Sequence, residues 1–290
     1  MGEAAGLLSA FFVAVSAIII RSYSMRASVW SLNAILALFV SLFYVVALLA
    51  FGQAGEVWRM PRDMVALSVL SGVTGMVLGG SAYIKGLELA GVARAFPIQM
   101  SCYSLFTLLL AFLLLDEAFS PPMLAGVALV LVGLYLVGGA QKESKVAAKD
   151  VKLGIVLSVG AGAIWALTTF VLRIVLKEES VVAVNFVRMP AGALILVLLT
   201  FLLNSSPNIR RWSKKDLAVL GVVGFIAQGM GSFLFVFALA TAGAAKTAIL
   251  SSTSPLFALP MAVLLSKERV TSRLIAGTAL TVSGIALIVL

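Results

Sequence analysis

Lys246, Thr247, Ser251, Ser252, Thr253 and Ser254 share one short stretch, KTAILSSTSP, that closes on Pro255. A Lys and a Ser can form a base–nucleophile pair. Here, five positions of helix set Lys246 and Ser251 on different turns, which argues against a dyad. The other chemistry open to the run is hydrogen bonding. Membrane-embedded hydroxyls are satisfied by backbone or by a neighbouring helix, and Pro255 frees a carbonyl one turn earlier for them to take up. The run is therefore either packing around a proline kink or a hydrogen-bonding wall for a substrate, with Ser251 and Ser252 as its central hydroxyls. Catalysis has little else to draw on. The chain contains no histidine, so His-based nucleophilic mechanisms are excluded. No acids are spaced within an apolar run to hold a metal. Neither a catalytic residue, a metal nor a cofactor is expected.

Other polar and aromatic residues stand far inside apolar runs. Pro97, Gln99, Ser101, Tyr103 and Ser104 share one run; Ser81 and Tyr83 belong to another, and Trp165, Thr168 and Thr169 to a third. Tyr83, Tyr103 and Trp165 facing a shared cavity would suit an aromatic or long apolar substrate, although rings of this kind also anchor helices at membrane interfaces. Trp165 lies mid-run, where anchoring explains it least. Arg188 lies well inside an apolar run, with Asn185 one turn before it on the same face. An intramembrane arginine faces the protein interior or water and marks a functional site, here a binding point for a substrate carboxylate. Its alternative is snorkelling to the nearby interface. Gln228 is a further uncharged polar residue at mid-run depth. The glycines around it, Gly224 and Gly231, like Gly72, Gly75 and Gly79, suit close helix approach.

These residues need membrane helices to position them. The chain of 290 residues is 62% hydrophobic and 11% charged, with mean hydropathy +1.14, where soluble chains are roughly half apolar and a quarter charged. At ~20 apolar residues per crossing it has room for ten spans: Ala4 to Ile20, Trp30 to Phe51, Asp63 to Leu87, Ala93 to Leu115, Pro121 to Gly139, Leu153 to Val175, Val181 to Leu203, Leu217 to Leu239, Ala245 to Leu265 and Arg273 to Leu290. Continuous rather than alternating apolar runs exclude a β-barrel. The first span lacks a basic start and a cleavage site, as expected of a retained segment. The single cysteine, Cys102, forms no internal disulfide. The net charge of +9 reflects basic residues flanking membrane spans, so nucleic acid is not an expected partner.

The polar segment AQKESKVAAKDVK separates two similar halves, residues 1–140 and 153–290, with 141–152 as linker. Aligning Glu117 with Glu268 also pairs Gly126 with Gly277 and Gly133 with Gly284; one residue of shift pairs Asn33 with Asn185, Gly72 with Gly224, Gly79 with Gly231 and Arg94 with Lys246. Five spans per half is odd, so the second half enters the membrane inverted, the plan of transporters that bind at the midplane between repeats. Fifteen of the 21 Lys and Arg (Arg21, Arg26, Lys85, Arg94, Lys142, Lys145, Lys149, Lys152, Arg210, Arg211, Lys214, Lys215, Lys267, Arg269 and Arg273) fall on one face. That face is then cytoplasmic and both termini are extracytoplasmic. Glu117, before Ser120 and Pro121, and Glu268, before Thr271 and Ser272, mark the corners where the last span of each half begins.

With this layout the chain resembles the EamA-type branch of the drug/metabolite transporter superfamily. The resemblance rests on GVARAFPIQMSCYSLF and GAAKTAILSSTSPLF, each running through an apolar stretch to a Glu, a short loop and a Gly-containing span. AIWALTTFVLR and NFVRMPAGALIL match the family's Trp-bearing and Arg-bearing spans. The first half departs from both, with Ser16 in a Trp-less first span and Leu36 opposite Arg188. The resemblance implies an all-α integral membrane fold, ten helices in two inverted five-helix repeats around a central cavity. It also implies export or exchange of small organic solutes such as amino acids by alternating access in a cell (inner or plasma) membrane, and the rings named above add aromatic or apolar amino acids to the expected class. With no Asp or Glu near mid-membrane, a proton relay is not expected. A proton-coupled exporter of cationic drugs is the alternative reading, and a passive channel or intramembrane enzyme the remaining ones. Lipid and an amino-acid-like solute are the expected partners, and the assembly a monomer or weak homo-oligomer.

Overall fold

The computed structural model describes residues 1–115, 121–138, 148–203, 212–243, 247, 250–251, 253–266 and 271–289. Every element among them is helical. Helices α1 (Gly2–Ser24), α2 (Val29–Ala50), α3 (Arg62–Ala90), α4 (Val92–Leu115) and α5 (Pro121–Gly138) are followed by α6 (Ala148–Val175), α7 (Val181–Leu202), α8 (Lys214–Ala242), α9 (Ser254–Ser266) and α10 (Ser272–Val289). A short helix, Ala54–Arg59, lies between α2 and α3. Six of these helices, α1 to α3 and α6 to α8, are long and apolar enough to cross a membrane. Their outer faces carry exposed side chains such as Leu38, Leu49, Leu194, Phe201 and Ile226. A belt of this kind needs a lipid solvent rather than water, and the chain is an integral membrane protein.

Helix starts follow from local chemistry. Ser28 holds an extended backbone and its hydroxyl accepts from Ser31 N at 3.1 Å; Ser180 caps α7 in the same way, accepting from Ala183 N at 3.3 Å. Ser213 and Asp216 form a reciprocal capping box at the start of α8, and Tyr23 OH donates to Asp216 Oδ1 at 3.0 Å, tying that corner to the end of α1. Thr271 Oγ1 accepts from Leu274 N at 3.3 Å and so caps α10. Each satisfies an amide that the first helical turn leaves orphaned. The turn after α3 runs through Gly91 at φ 77° and that after α8 through Gly243 at φ 84°, a region that side-chain-bearing residues avoid. The corners at Glu117 and Glu268 lie outside the described residues, as does most of the linker.

The long helices α3 and α8 are not regular. Each widens into a π-helical segment, Val73–Gly79 and Val223–Met230. An extra residue per turn leaves carbonyls displaced from their normal partners, and the cavity walls take these up. Asn33 Nδ2 donates to Met76 O at 2.9 Å and Trp165 Nε1 to Gly75 O at 2.9 Å. Around the second segment Ser232 Oγ donates to Gly229 O at 3.0 Å, and Ser9 Oγ to Gly231 O at 2.8 Å.

Packing runs between the two halves of the chain. Helix α1 packs on α8 and α9, α6 on α3 and α4, α2 on α7 and α8, α3 on α7, and α5 along α10. At this last crossing Gly133 lies against Gly277 O, and Gly284 against Gly126 O. Apolar surface gains nothing by moving from lipid to another helix, so close backbone approach at small residues supplies the dispersion contacts that join them. Pro97, Pro190 and Pro260 are accommodated inside α4, α7 and α9; the Pro97 carbonyl accepts from Ser101 Oγ at 2.7 Å.

Candidate functional site

Helices α1 to α4 and α6 to α9 surround a cavity of about 250 Å³, the concave and largely apolar kind of space that holds a small metabolite. Trp165, Thr168 and Thr169 reach it from α6, Tyr83 from α3, Tyr103 from α4, Arg188 from α7, Gln228 from the π segment of α8, and Ser251 from just before α9. Gln99, Asn185 and Ser252 stand apart from these. Gln99 is fully buried, neither amide atom is hydrogen-bonded among the described residues, and it is not part of the cavity wall, because α4 turns its backbone onto Gly162 of α6 there. Asn185 lies behind the wall: its Oδ1 accepts from Arg188 Nη1 at 3.4 Å while its Nδ2 donates to Val181 O at 2.7 Å. It contacts the guanidinium and is not among the residues that line the cavity. Ser252 and Lys246 lie outside the described residues.

The aromatic wall is built by contact as well as by proximity. The Tyr83 and Trp165 rings tilt together at 5.3 Å, with the indole held by Gly75 O. Tyr103 OH pairs with Thr169 Oγ1 at 3.3 Å, and its ring meets Phe235 edge-on at 6.3 Å. Thr168 shares a 3.3 Å contact with Thr74. These links fix ring orientations, so the wall is set before any ligand arrives.

Arg188 is buried, at 8% exposure, and lines the cavity. Its Nε has no hydrogen-bond partner, and no carboxylate forms an ion pair with it among the described residues. The close approach that places it comes from Gly72, where an added Cβ would fall 2.1 Å from the Arg188 carbonyl oxygen, and from Gly75, where it would lie 3.6 Å from Nη2. Gly72 and Gly75 are thus packing residues that bring the guanidinium to the cavity. Leu36, aligned with Arg188 by sequence, is buried in the core, and among the described lining residues Arg188 is the one guanidinium.

The hydroxyl run at the start of α9 both packs around the proline and borders the cavity. Ser254 Oγ donates to Ser251 O at 2.6 Å, the carbonyl that Pro255 leaves free, and Thr253 Oγ1 to Leu250 O at 2.6 Å. Ser251 and Ser254 also border the cavity. Asn33, Ser232 and Phe235 line it without having been singled out. The pairing of Asn33 with Asn185 across the halves was the available signal for the first; nothing in sequence marked the other two.

Comparison with known proteins agrees with this architecture. A solved crystal structure covering 99% of this chain and 94% of its own superposes with a TM-score of 0.73 at 20% identity, a likeness of fold. An uncharacterized transporter of Archaeoglobus fulgidus is 26% identical over 225 residues, 77% of this chain and 75% of its own length. The model of the EamA-like transporter family matches residues 1–139 and again residues 152–290. The chain belongs to the EamA-like transporter family, within the drug/metabolite transporter superfamily.

Proposed function

We propose that the protein exports or exchanges small organic metabolites, amino acids with aromatic or apolar side chains foremost, by alternating access at the central cavity and without a proton relay. One observation carries the reading: a buried guanidinium with no acidic partner among the described residues shares a cavity with Tyr83, Tyr103 and Trp165. A buried unpaired charge is costly, and a substrate carboxylate offsets that cost through charge-assisted hydrogen bonds while the rings take its apolar body.

Two inverted five-helix repeats, 1–140 and 153–290 joined by 141–152, are the plan this mechanism rests on. It is supported by features that recur about 152 positions apart: the caps Ser28 and Ser180, the π segments, and the turns at Gly91 and Gly243. Reciprocal packing, α1 on α9 and α6 on α4, supports it too. Rocking of one repeat against the other would open the cavity to each side in turn. The Lys and Arg bias supports an orientation with both termini outside a cell membrane.

The test is thermal stabilisation of the purified protein across amino acids, nucleosides and organic cations, since selective binding to the folded state raises stability. Aromatic or apolar amino acids should stabilise it, and Arg188→Gln should remove the effect. Counterflow in proteoliposomes should proceed without an imposed pH gradient. Stabilisation by organic cations instead, with uptake that tracks the pH gradient and collapses with an ionophore, would support the drug-exporter reading and sink this one.

A further inference from the structure

An α-amino acid carries two charges, and the cavity is built to meet one. Among the described residues that line it, Arg188 is the sole charged side chain; the other polar groups are neutral hydroxyls, carboxamides and an indole. Asn33 spends both amide hydrogens on Met76 O and Ser81 Oγ, so it offers only a neutral oxygen. The Trp165 face that could attract a cation is shared with the Tyr83 ring at 5.3 Å. The α-ammonium of an amino acid sits two bonds from its carboxyl carbon. Docking that carboxylate on Arg188 therefore brings the ammonium toward the same guanidinium, where like charges repel strongly at low dielectric. No carboxylate among the described wall residues is there to compensate. A desolvated ammonium without an anionic partner is itself unfavourable.

From this charge pattern, which rests on the carboxylate reading of Arg188 above, we infer that the substrate range extends beyond amino acids to organic monoanions, and that the cavity binds these more tightly. They are carboxylates with an aromatic or apolar body and no α-ammonium group, such as arylalkanoates or the corresponding 2-oxo acids. The rings and Arg188 read the two ends of such a molecule, and nothing in the described wall is left to read a positive charge.

The test compares 3-phenylpropanoate, phenylalanine and 2-phenylethylamine, which share the ring and differ only in the charged groups, by thermal stabilisation of the purified full chain at pH 7 and by competition in counterflow. The expected result is that 3-phenylpropanoate half-saturates at a concentration at least tenfold below that of phenylalanine, while 2-phenylethylamine gives no stabilisation. Arg188→Gln should erase the advantage of 3-phenylpropanoate over phenylalanine. Arg188→Lys, which keeps the charge, should preserve the ranking at weaker affinity even if the Gln variant folds poorly. Tighter or equal binding of phenylalanine would overturn the inference and leave the proposed amino-acid transport standing. Failure of both carboxylates to stabilise or compete would overturn the two together, as would strongest binding by the amine.

Discussion

Replacing Gly72 with alanine should harm both the fold and the site, by an amount that the crossing of α3 and α7 sets. The added Cβ would lie 2.1 Å from Arg188 O, 2.8 Å from Arg188 C and 3.0 Å from its Cα. All three are backbone atoms, so no side-chain rotation relieves the clash. Ordinary contact begins near 3.4 Å, so the helices must part by about 1.3 Å. Overpacking of this kind costs about 1–3 kcal/mol, with the upper end expected where backbone blocks backbone. The shift falls on the residue that bears the guanidinium. Loss of one charge-assisted hydrogen bond to a ligand is worth about 1.5–3 kcal/mol, or roughly 10- to 100-fold in affinity. Gly160→Ala is the matched control: its Cβ meets nothing within 4 Å, and inside α6 the change should be neutral or stabilising by up to about 1 kcal/mol. Thermal unfolding of both variants in detergent, followed by titration with the best-stabilising ligand, gives the two readouts. If Gly72→Ala melts and titrates as Gly160→Ala does, α7 is free to slide at this crossing, and the claim that Gly72 positions Arg188 is wrong.

The aromatic wall and the helix caps make contrasting predictions. Trp165→Phe removes the bond to Gly75 O, so melting should fall by the equivalent of about 1 kcal/mol, with ligand affinity reduced as well because the ring loses its tether. Ser180→Ala removes the cap on Ala183 N and should likewise cost about 1 kcal/mol of stability, measured as a lower unfolding midpoint, but should leave ligand affinity unchanged.

Much of the fold was legible because a bilayer permits few alternatives. Lipid demands long apolar helices with every backbone group satisfied, so the span expected over Trp30 to Phe51 is a helix over Val29–Ala50. The start of α6 fits less closely: the helix begins at Ala148, five residues before the expected start, because it continues into polar sequence that hydropathy alone does not mark as helical. The π segments left no hydropathy signal, since an inserted residue changes which face a side chain joins without changing its type. Only the crowd of glycines around 72–80 and 221–231 hinted at them. Sequence could not place Gln99 relative to the cavity for a related reason. Helix α4 is apolar nearly all round, so no periodic stripe distinguishes the side toward the cavity from the side toward α6. Asn185 was placed on the correct face of α7 with Arg188, but sequence alone could not tell a residue that meets the ligand from one that holds its neighbour.

The interleaved packing bears on how the protein is made. Four helices from each half wall the cavity, and Ser251 and Ser254 near its end belong to the last sixth of the chain. When the first five helices have left the ribosome, the surfaces of α1, α2 and α3 destined for the cavity and for α6 to α9 face lipid, with Gly72, Gly75 and Gly79 bare. The site therefore cannot exist as a half-built version of itself. It comes into being only as the final helices insert, so a chain truncated before α9 would retain Arg188 and every aromatic of the wall and still have nowhere to hold a ligand.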